Sequence, residues 1–420
     1  MRRRTYLTMA TAGVLTLAGC AAVEDDQEET DPGDNETDDD DEIDEIDEID
    51  DADTGPETFD DFEDLDDWEA VAGSLEADTE NYYTGSQSAR LEIHDGDDGI
   101  MANIVLELEE PIDCTEENPG LAVQSENIED PSIQLYDADG GRADFHCEVR
   151  PDMPFMRRNF GFAGANGEGV PDFSAIEEIQ IAFYADEEST PEMWVDDLHF
   201  VPRSTTGAVL LQFDGGYETH HTIAQPVLEA YDLPATAFVP TGRIYEDDDW
   251  EEDRLSEEQL EELADAGWTI ASNAAHGSDL TSLDDRDPEE EVTSAIEWLE
   301  DHDYDGAGYF AYPQGIYDES TYDIVAEHTD LAFAGRYGVQ AQALDPHLCS
   351  RVVNPSFGDA TEVLDRTAEF GGVTSLAYYR LEDDDVQDAF ADSMEYLNDL
   401  REEGDLEVIT PQEFEDEYVY

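Results

Sequence analysis

The sequence predicts two folded parts of different class: a β-sandwich over residues 57–203, then an α/β barrel or doubly wound sheet over residues 204–420. Three observations predict this. At 420 residues the chain suits about two domains rather than one. Up to Arg203, short runs of period two alternate with turn residues, and no long helical face occurs. Beyond Gly207, nearly continuous apolar runs alternate with segments of helical spacing, as expected for buried parallel strands between helices.

Two segments precede the folded parts. Arg2-Arg3-Arg4 is followed by an apolar run to Ala18 of about a dozen residues, too short to span a bilayer that needs roughly 20. Arg3-Arg4-Thr5-Tyr6-Leu7 resembles a twin-arginine export motif, and Leu17-Ala18-Gly19-Cys20 resembles a lipoprotein cleavage box. Residues 1–20 are thus expected to be a signal peptide. By that resemblance Cys20 becomes the lipidated first residue of the mature protein, anchored on the outer face of the cell membrane. One acyl chain holds a protein only marginally, so two chains or a diether lipid are implied. Residues 21–56 read as an acidic, disordered stalk. Asp41-Glu42-Ile43 recurs as Asp44-Glu45-Ile46 and Asp47-Glu48-Ile49, with too little apolar surface to offset the ordering entropy.

The charge sets the solvent. Asp and Glu number 113 against 17 Lys and Arg, a net charge of -96. The acid is spread through the chain, as in Glu246-Asp247-Asp248-Asp249 and Glu382-Asp383-Asp384-Asp385. At low salt such self-repulsion strains any compact state. At molar salt the Debye length falls to roughly 3 Å and the same charges become a hydrated surface. With its leader, the composition resembles that of a haloarchaeal lipoprotein. No basic stripe exists to meet phosphates, which excludes a nucleic-acid partner.

In the first folded part, Ser88–Ile93, Ile104–Leu108, Ser132–Tyr136, Ile179–Phe183 and Met193–Phe200 read as strands. The opening Phe59-Asp60-Asp61-Phe62-Glu63 with Trp68, and the closing Trp194-Val195-Asp196-Asp197-Leu198, resemble jelly-roll carbohydrate-binding modules. Asp196 and Asp197 are candidate calcium ligands, or else solvated acids at a strand end. Cys114 and Cys147 are the candidate disulfide of an exported domain, and Cys349 reads as a buried free thiol.

In the second part, Ala208–Phe213 is the first strand and Thr222–Tyr231 has helical spacing. Ala235–Val239 is the next strand. Ser256 and Gln259 form a capping box for a helix that runs to Ala266 and stops at Gly267. Trp268–Ala271 is a strand and residues 288–301 a helix. Strands follow at Gly308–Tyr312, Leu331–Phe333 and Ser375–Tyr378, then a helix over 388–402 and a strand at Leu406–Thr410. Chemistry in such a fold sits at the C-terminal ends of the strands.

Several landmarks there occur in the order of one family. Leu211-Gln212-Phe213-Asp214-Gly215-Gly216-Tyr217 resembles the first motif of the polysaccharide deacetylases (NodB homology), Phe-Asp-Asp-Gly-Tyr. Gly267–Asn273 through Thr281 resembles the segment that carries His-x-x-x-His, Phe310-Ala311-Tyr312-Pro313-Gln314-Gly315 the third motif, and Leu376-Ala377-Tyr378-Tyr379 the strand ending in a catalytic His. The resemblance implies a distorted (β/α) barrel and metal-dependent hydrolysis of N-acetyl groups on a polysaccharide. A zinc-like divalent metal would polarise the carbonyl, an Asp would take the proton of water, and a His would protonate the leaving amine. Asp214 matches the base position and Tyr379 the acid position. Gly215 stands where a metal Asp is expected, Asn273 where the first metal His is expected, and Gly277 where the second is, with His276 one residue early. His276 is therefore a candidate metal ligand, with His220, His221 and Asp279 as alternatives. Tyr217, Asn273, Tyr312 and Pro313 are candidate substrate contacts.

Three readings follow: a deacetylase with relocated ligands, a deacetylase fold kept as a carbohydrate-binding surface lipoprotein, and a structural surface protein. The expected partner of the first two is a cell-surface or extracellular polysaccharide.

Overall fold

The computed structural model describes residues 55–93, 101–127, 130–151, 153–184, 192–244 and 253–420. The export motif, Cys20, residues 21–54 of the acidic stalk and the run 246–249 lie outside the described residues. The alternating runs of the first part pair into two antiparallel six-stranded sheets. One sheet runs Ser74–Asp78, Ser88–Glu92, Glu192–Pro202, Glu117–Ser125 and Met156–Asn159, with Thr58–Asp60 also on the Glu192–Pro202 strand. The other runs Gly161–Gly167, Gly141–His146, Ser132–Asp137, Ile176–Tyr184, Met101–Ile112 and Trp68–Ala72. All five expected strands form. Period-two alternation puts one apolar set inward: Ile181 lies opposite Ile104 on one side and Ile133 on the other, and all three are fully buried. They share one core with Leu91, Leu121 and Val195.

Asp196 and Asp197 sit at an irregularity in the pairing of the Glu192–Pro202 strand, where Asp197 takes a positive φ of 47°. Asp196 accepts from the backbone N–H groups of Tyr83 and Thr84, each at 2.9 Å. Burial pushes the Asp197 carboxyl up, but hydrogen bonds from His199, Arg157 and Thr58 outweigh it and hold the group well below the usual range. The pairing expected of Cys114 with Cys147 is not formed: both are buried free thiols, as is Cys349. The Cys114 N–H bonds to the Phe173 carbonyl, whereas that of Cys147 bonds to Pro131.

From Gly207 the chain alternates strand and helix. The strands are β1 (Gly207–Asp214), β2 (Thr236–Val239), β3 (Thr269–Ser272), β4 (Gly306–Ala311), β5 (Leu331–Phe333), β6 (Val352–Val353), β7 (Gly372–Tyr378) and β8 (Leu406–Val408). The helices are α1 (Gln225–Tyr231), α2 (Glu257–Asp265), α3 (Pro288–Asp301), α4 (Glu319–His328), α5 (Phe357–Phe370), α6 (Asp384–Glu403) and α7 (Pro411–Tyr418). The sheet order is β5-β4-β3-β2-β1-β7-β6, with β8 also on β1, and every pairing is parallel. β1 is buried at all eight positions, as its unbroken apolar run requires. The capping box of Ser256 and Gln259 opens α2, and Asp287 with Pro288 opens α3. Helices α4, α5 and α7 add to those expected.

One connection matters most for the site. Cys349 bridges to Phe333 of β5, and three residues later Val352 pairs with Leu376 of β7. The segment thus touches both edges of the open sheet and brings them round into a distorted barrel. It also sends a loop against the antiparallel sheets. The Phe162 N–H bonds to the Val339 carbonyl at 3.1 Å, and the Gln342 N–H to Pro202 at 3.0 Å. The Asn159 side chain donates to the Gln342 carbonyl at 2.8 Å and accepts from the Leu344 N–H at 2.8 Å. No described helix is long and apolar enough to cross a membrane.

Candidate functional site

β1 ends on Asp214, whose side chain is completely buried. Nη1 of Arg351, from the turn before β6, donates to both carboxylate oxygens at 2.9 and 2.8 Å. Arg351 is itself only 1% exposed, so the pair is an interior ion pair. Tyr379, at the end of β7, adds its hydroxyl as a further donor to Asp214. Burial pushes the Asp214 carboxyl above the ordinary range, against the opposing pull of Arg351 and Tyr379. Burial and the neighbouring Asp214 push the Tyr379 phenol up to about 12, which makes it a donor rather than a ready acid.

His220 supports this group from behind. Its ring is fully buried, which pushes it down to about 4 and keeps it neutral near pH 7. Nε2 lies 2.7 Å from the Tyr379 carbonyl and therefore carries the proton, and Nδ1 is buried without a hydrogen-bond partner. Just after β1, Gly215 takes a φ of +91° and Gly216 of +61°, a turn that side-chain-bearing residues rarely adopt. The Tyr217 ring beyond them lies between two guanidinium groups, with Arg254 at 4.1 Å and Arg380 at 4.4 Å from its centroid.

The remaining candidates are spread out. Asn273 ends β3 and is 4% exposed; its amide donates to the Ala311 carbonyl at 2.8 Å. Exposed His276 is tied to Glu291 of α3, with Nδ1 at 2.9 Å, and Arg286 reaches the same carboxylate at 2.7 Å. His221 pairs with Glu262 of α2 at 2.6 Å. Asp279 caps the short turn Leu280–Ser282 through Thr281. Tyr312 is fully buried against Phe310 and Tyr317, and Pro313 is buried beside it, so neither presents a face to a sugar ring. The structure therefore brings Asp214, Tyr379, His220 and Tyr217 together, and holds His276, His221 and Asp279 on separate partners.

The residues at the barrel mouth do not fit a divalent metal. Asp214 has both oxygens on Arg351, Gly215 has no side chain, and His276 is engaged by Glu291. Among the described residues, no group of three or more His, Cys, Asp or Glu side chains could hold one. Arg351 is the residue that sequence reasoning missed. Its signal was the scarcity of cations: one arginine just after Cys349, in a chain with 17 basic residues, has few roles other than meeting a buried acid.

Arg351 and Tyr379 also form the floor of a cleft of about 590 Å³, in the size range of ligand sites. Its walls come from both parts of the chain: Glu148, Arg150 and Phe162 from the antiparallel sheets, and the turn Gly335–Gly338 and one face of α5 from the parallel part.

Residues 202–330 match the family model of polysaccharide deacetylase. A putative polysaccharide deacetylase, YxkH of Bacillus subtilis (strain 168), is 29% identical over 113 residues, 27% of this chain and 39% of that protein. The chain thus matches about two fifths of the length of that curated relative. Among solved structures, a family 4 carbohydrate esterase from Bacillus anthracis is 21% identical, with a TM-score of 0.35, over 50% of this chain and 84% of that one. A family 4 carbohydrate esterase from Streptomyces lividans is 15% identical, with a TM-score of 0.35, over 50% and 96%. The match to the polysaccharide deacetylase model thus spans the segment that carries β1 to α4, with Asp214 at its first strand end.

Proposed function

We propose that this protein is a cell-surface lipoprotein of polysaccharide deacetylase descent that holds a glycan at the barrel mouth, without metal-dependent deacetylation. One observation carries the reading. The carboxylate at the base position is fully buried and occupied on both oxygens by Arg351. A general base must be within reach of the water it deprotonates, and here a guanidinium stands in that place. The paired antiparallel sheets, read as a jelly-roll-like β-sandwich, supply a second glycan-facing surface against the same cleft. Salt-adapted composition and the leader motifs support export to a hypersaline exterior.

The second reading, N-acetyl hydrolysis, is favoured by the family match over 202–330 and by the strand-end position of Asp214. The full chain in molar salt separates the two. Acetylated chitin-type oligosaccharides are expected to bind saturably and to release no acetate with zinc, cobalt or manganese added. Chelator-sensitive acetate release, lost in Asp214→Asn, would restore the enzyme reading. Anchoring has its own check: Cys20→Ser is expected to move the protein from the membrane fraction to the soluble exterior, and unchanged fractionation would refute the lipid anchor.

A further inference from the structure

The cleft above Arg351 concentrates the cations of a chain that has almost none. All 17 basic residues are arginines, set against 113 acids, and 14 of them lie beyond the leader. Four of those 14, Arg150, Arg336, Arg351 and Arg366, line this one cleft. The carboxylates beside them are equal in number: Glu148, Asp359 and Glu362 in the lining, and Asp214 behind Arg351. Elsewhere in the chain acids outnumber bases severalfold, so the cleft is a nearly neutral patch in a strongly acidic protein.

The arginines are held as a built site. Glu148, with its side chain 4% exposed, lies between Arg150 at 2.9 Å and Arg336 at 3.2 Å and orients both from below. Arg150 is fixed further by the Gly315 carbonyl at 3.1 Å and by the Tyr317 ring at 4.8 Å. Arg366 lies on α5 beside the exposed Glu362. Two donors remain over. Nε of Arg351 and Nε of Arg150 are both buried without a hydrogen-bond acceptor. Buried guanidinium donors without an acceptor are costly, whereas the solvent-accessible guanidinium groups of Arg150, Arg336 and Arg366 can meet an oxyanion with charge-assisted, fork-shaped hydrogen bonds. Tyr337 and Tyr379 line the same cleft and offer ring faces of the kind that pack on a pyranose.

We infer that this cleft binds a glycan carrying an oxyanion, a uronate carboxylate or a sulfate ester, which Arg150, Arg336 and Arg366 grip while the tyrosines pack on the sugar ring. The inference rests on the reading of the protein as a glycan binder and names the class of glycan. It also fits the charge. At low salt a net charge of -96 repels any polyanion. At molar salt the repulsion beyond roughly 3 Å is screened and contact pairs in a partly buried cleft persist.

The test is calorimetric titration of the full chain in molar salt with three oligosaccharides of equal length: oligogalacturonate, a sulfated oligosaccharide and a neutral chito-oligosaccharide. The acidic glycans are expected to bind about tenfold more tightly than the neutral one, the size of one charge-assisted contact. Whichever acidic glycan binds more tightly identifies the oxyanion. Arg336→Gln and Arg366→Gln, at the more exposed positions, are each expected to weaken that binding about tenfold. Arg90→Gln, which removes an arginine that does not line the cleft, is expected to leave it unchanged. Equal binding of neutral and acidic glycans, indifferent to Arg336 and Arg366, would overturn the acidic class and leave glycan binding standing. No binding of any of the three would overturn both.

Discussion

Replacing Arg351 with methionine will destabilise the protein by about 3–5 kcal/mol, because it leaves the Asp214 carboxylate buried without its cation. Asp214 is completely buried and Arg351 is 1% exposed, so water cannot take the place of the lost partner. Asp214→Leu should cost a similar amount by stranding the guanidinium instead. The double variant Asp214→Leu/Arg351→Met should return to within about 2 kcal/mol of the parent, since an apolar pair of similar volume often replaces a buried ion pair at little cost. Chemical denaturation in molar salt measures all four states, and the coupling between the sites follows from the cycle. A cost below about 1 kcal/mol for Arg351→Met would mean that the pair is solvated and the base position open, against the reading of the site.

Restoring the family's aspartate with Gly215→Asp will not restore a metal centre, and will itself destabilise the fold by about 1–3 kcal/mol through backbone strain alone. Gly215 sits at φ +91°, and a Cβ placed there would meet the Tyr217 ring at 2.7 Å. That ring is held between Arg254 and Arg380, so it cannot give way without breaking both contacts. The new carboxylate would also stand close to Asp214 with no further cation designed for it. Thermal unfolding should show the loss, and zinc should give no protection beyond that seen in the parent. Zinc-dependent stabilisation of Gly215→Asp alone, or acetate release by it, would show that the other ligands are still in reach of one another.

Much of the architecture is legible in the sequence because it rests on local rules. The apolar run Ala208–Phe213 specifies a strand buried on both faces, and β1 is buried throughout. The capping box at Ser256 sets the start of α2 through bonds within one turn. The alternation through Ser132–Tyr136 and Ile179–Phe183 places Ile133 and Ile181 in one core because a strand's side chains repeat every two residues. The family order of motifs likewise located Asp214 at a strand end.

What the sequence could not supply is the partner of each functional group. Arg351 lies 137 residues from Asp214, and only the bridging of Cys349 to β5 and Val352 to β7 brings the two together. His276, one residue from an expected ligand position, is turned to Glu291 by the α3 helix that follows it, and Tyr312 packs inward on Phe310 and Tyr317. Cys114 and Cys147 are both buried free thiols, although both belong to the same folded part. Local hydrogen bonding and side-chain periodicity thus determine strands, helices and caps from the sequence alone. Pairing of buried charges is decided by tertiary structure, because desolvation makes each group depend on whatever the fold sets beside it.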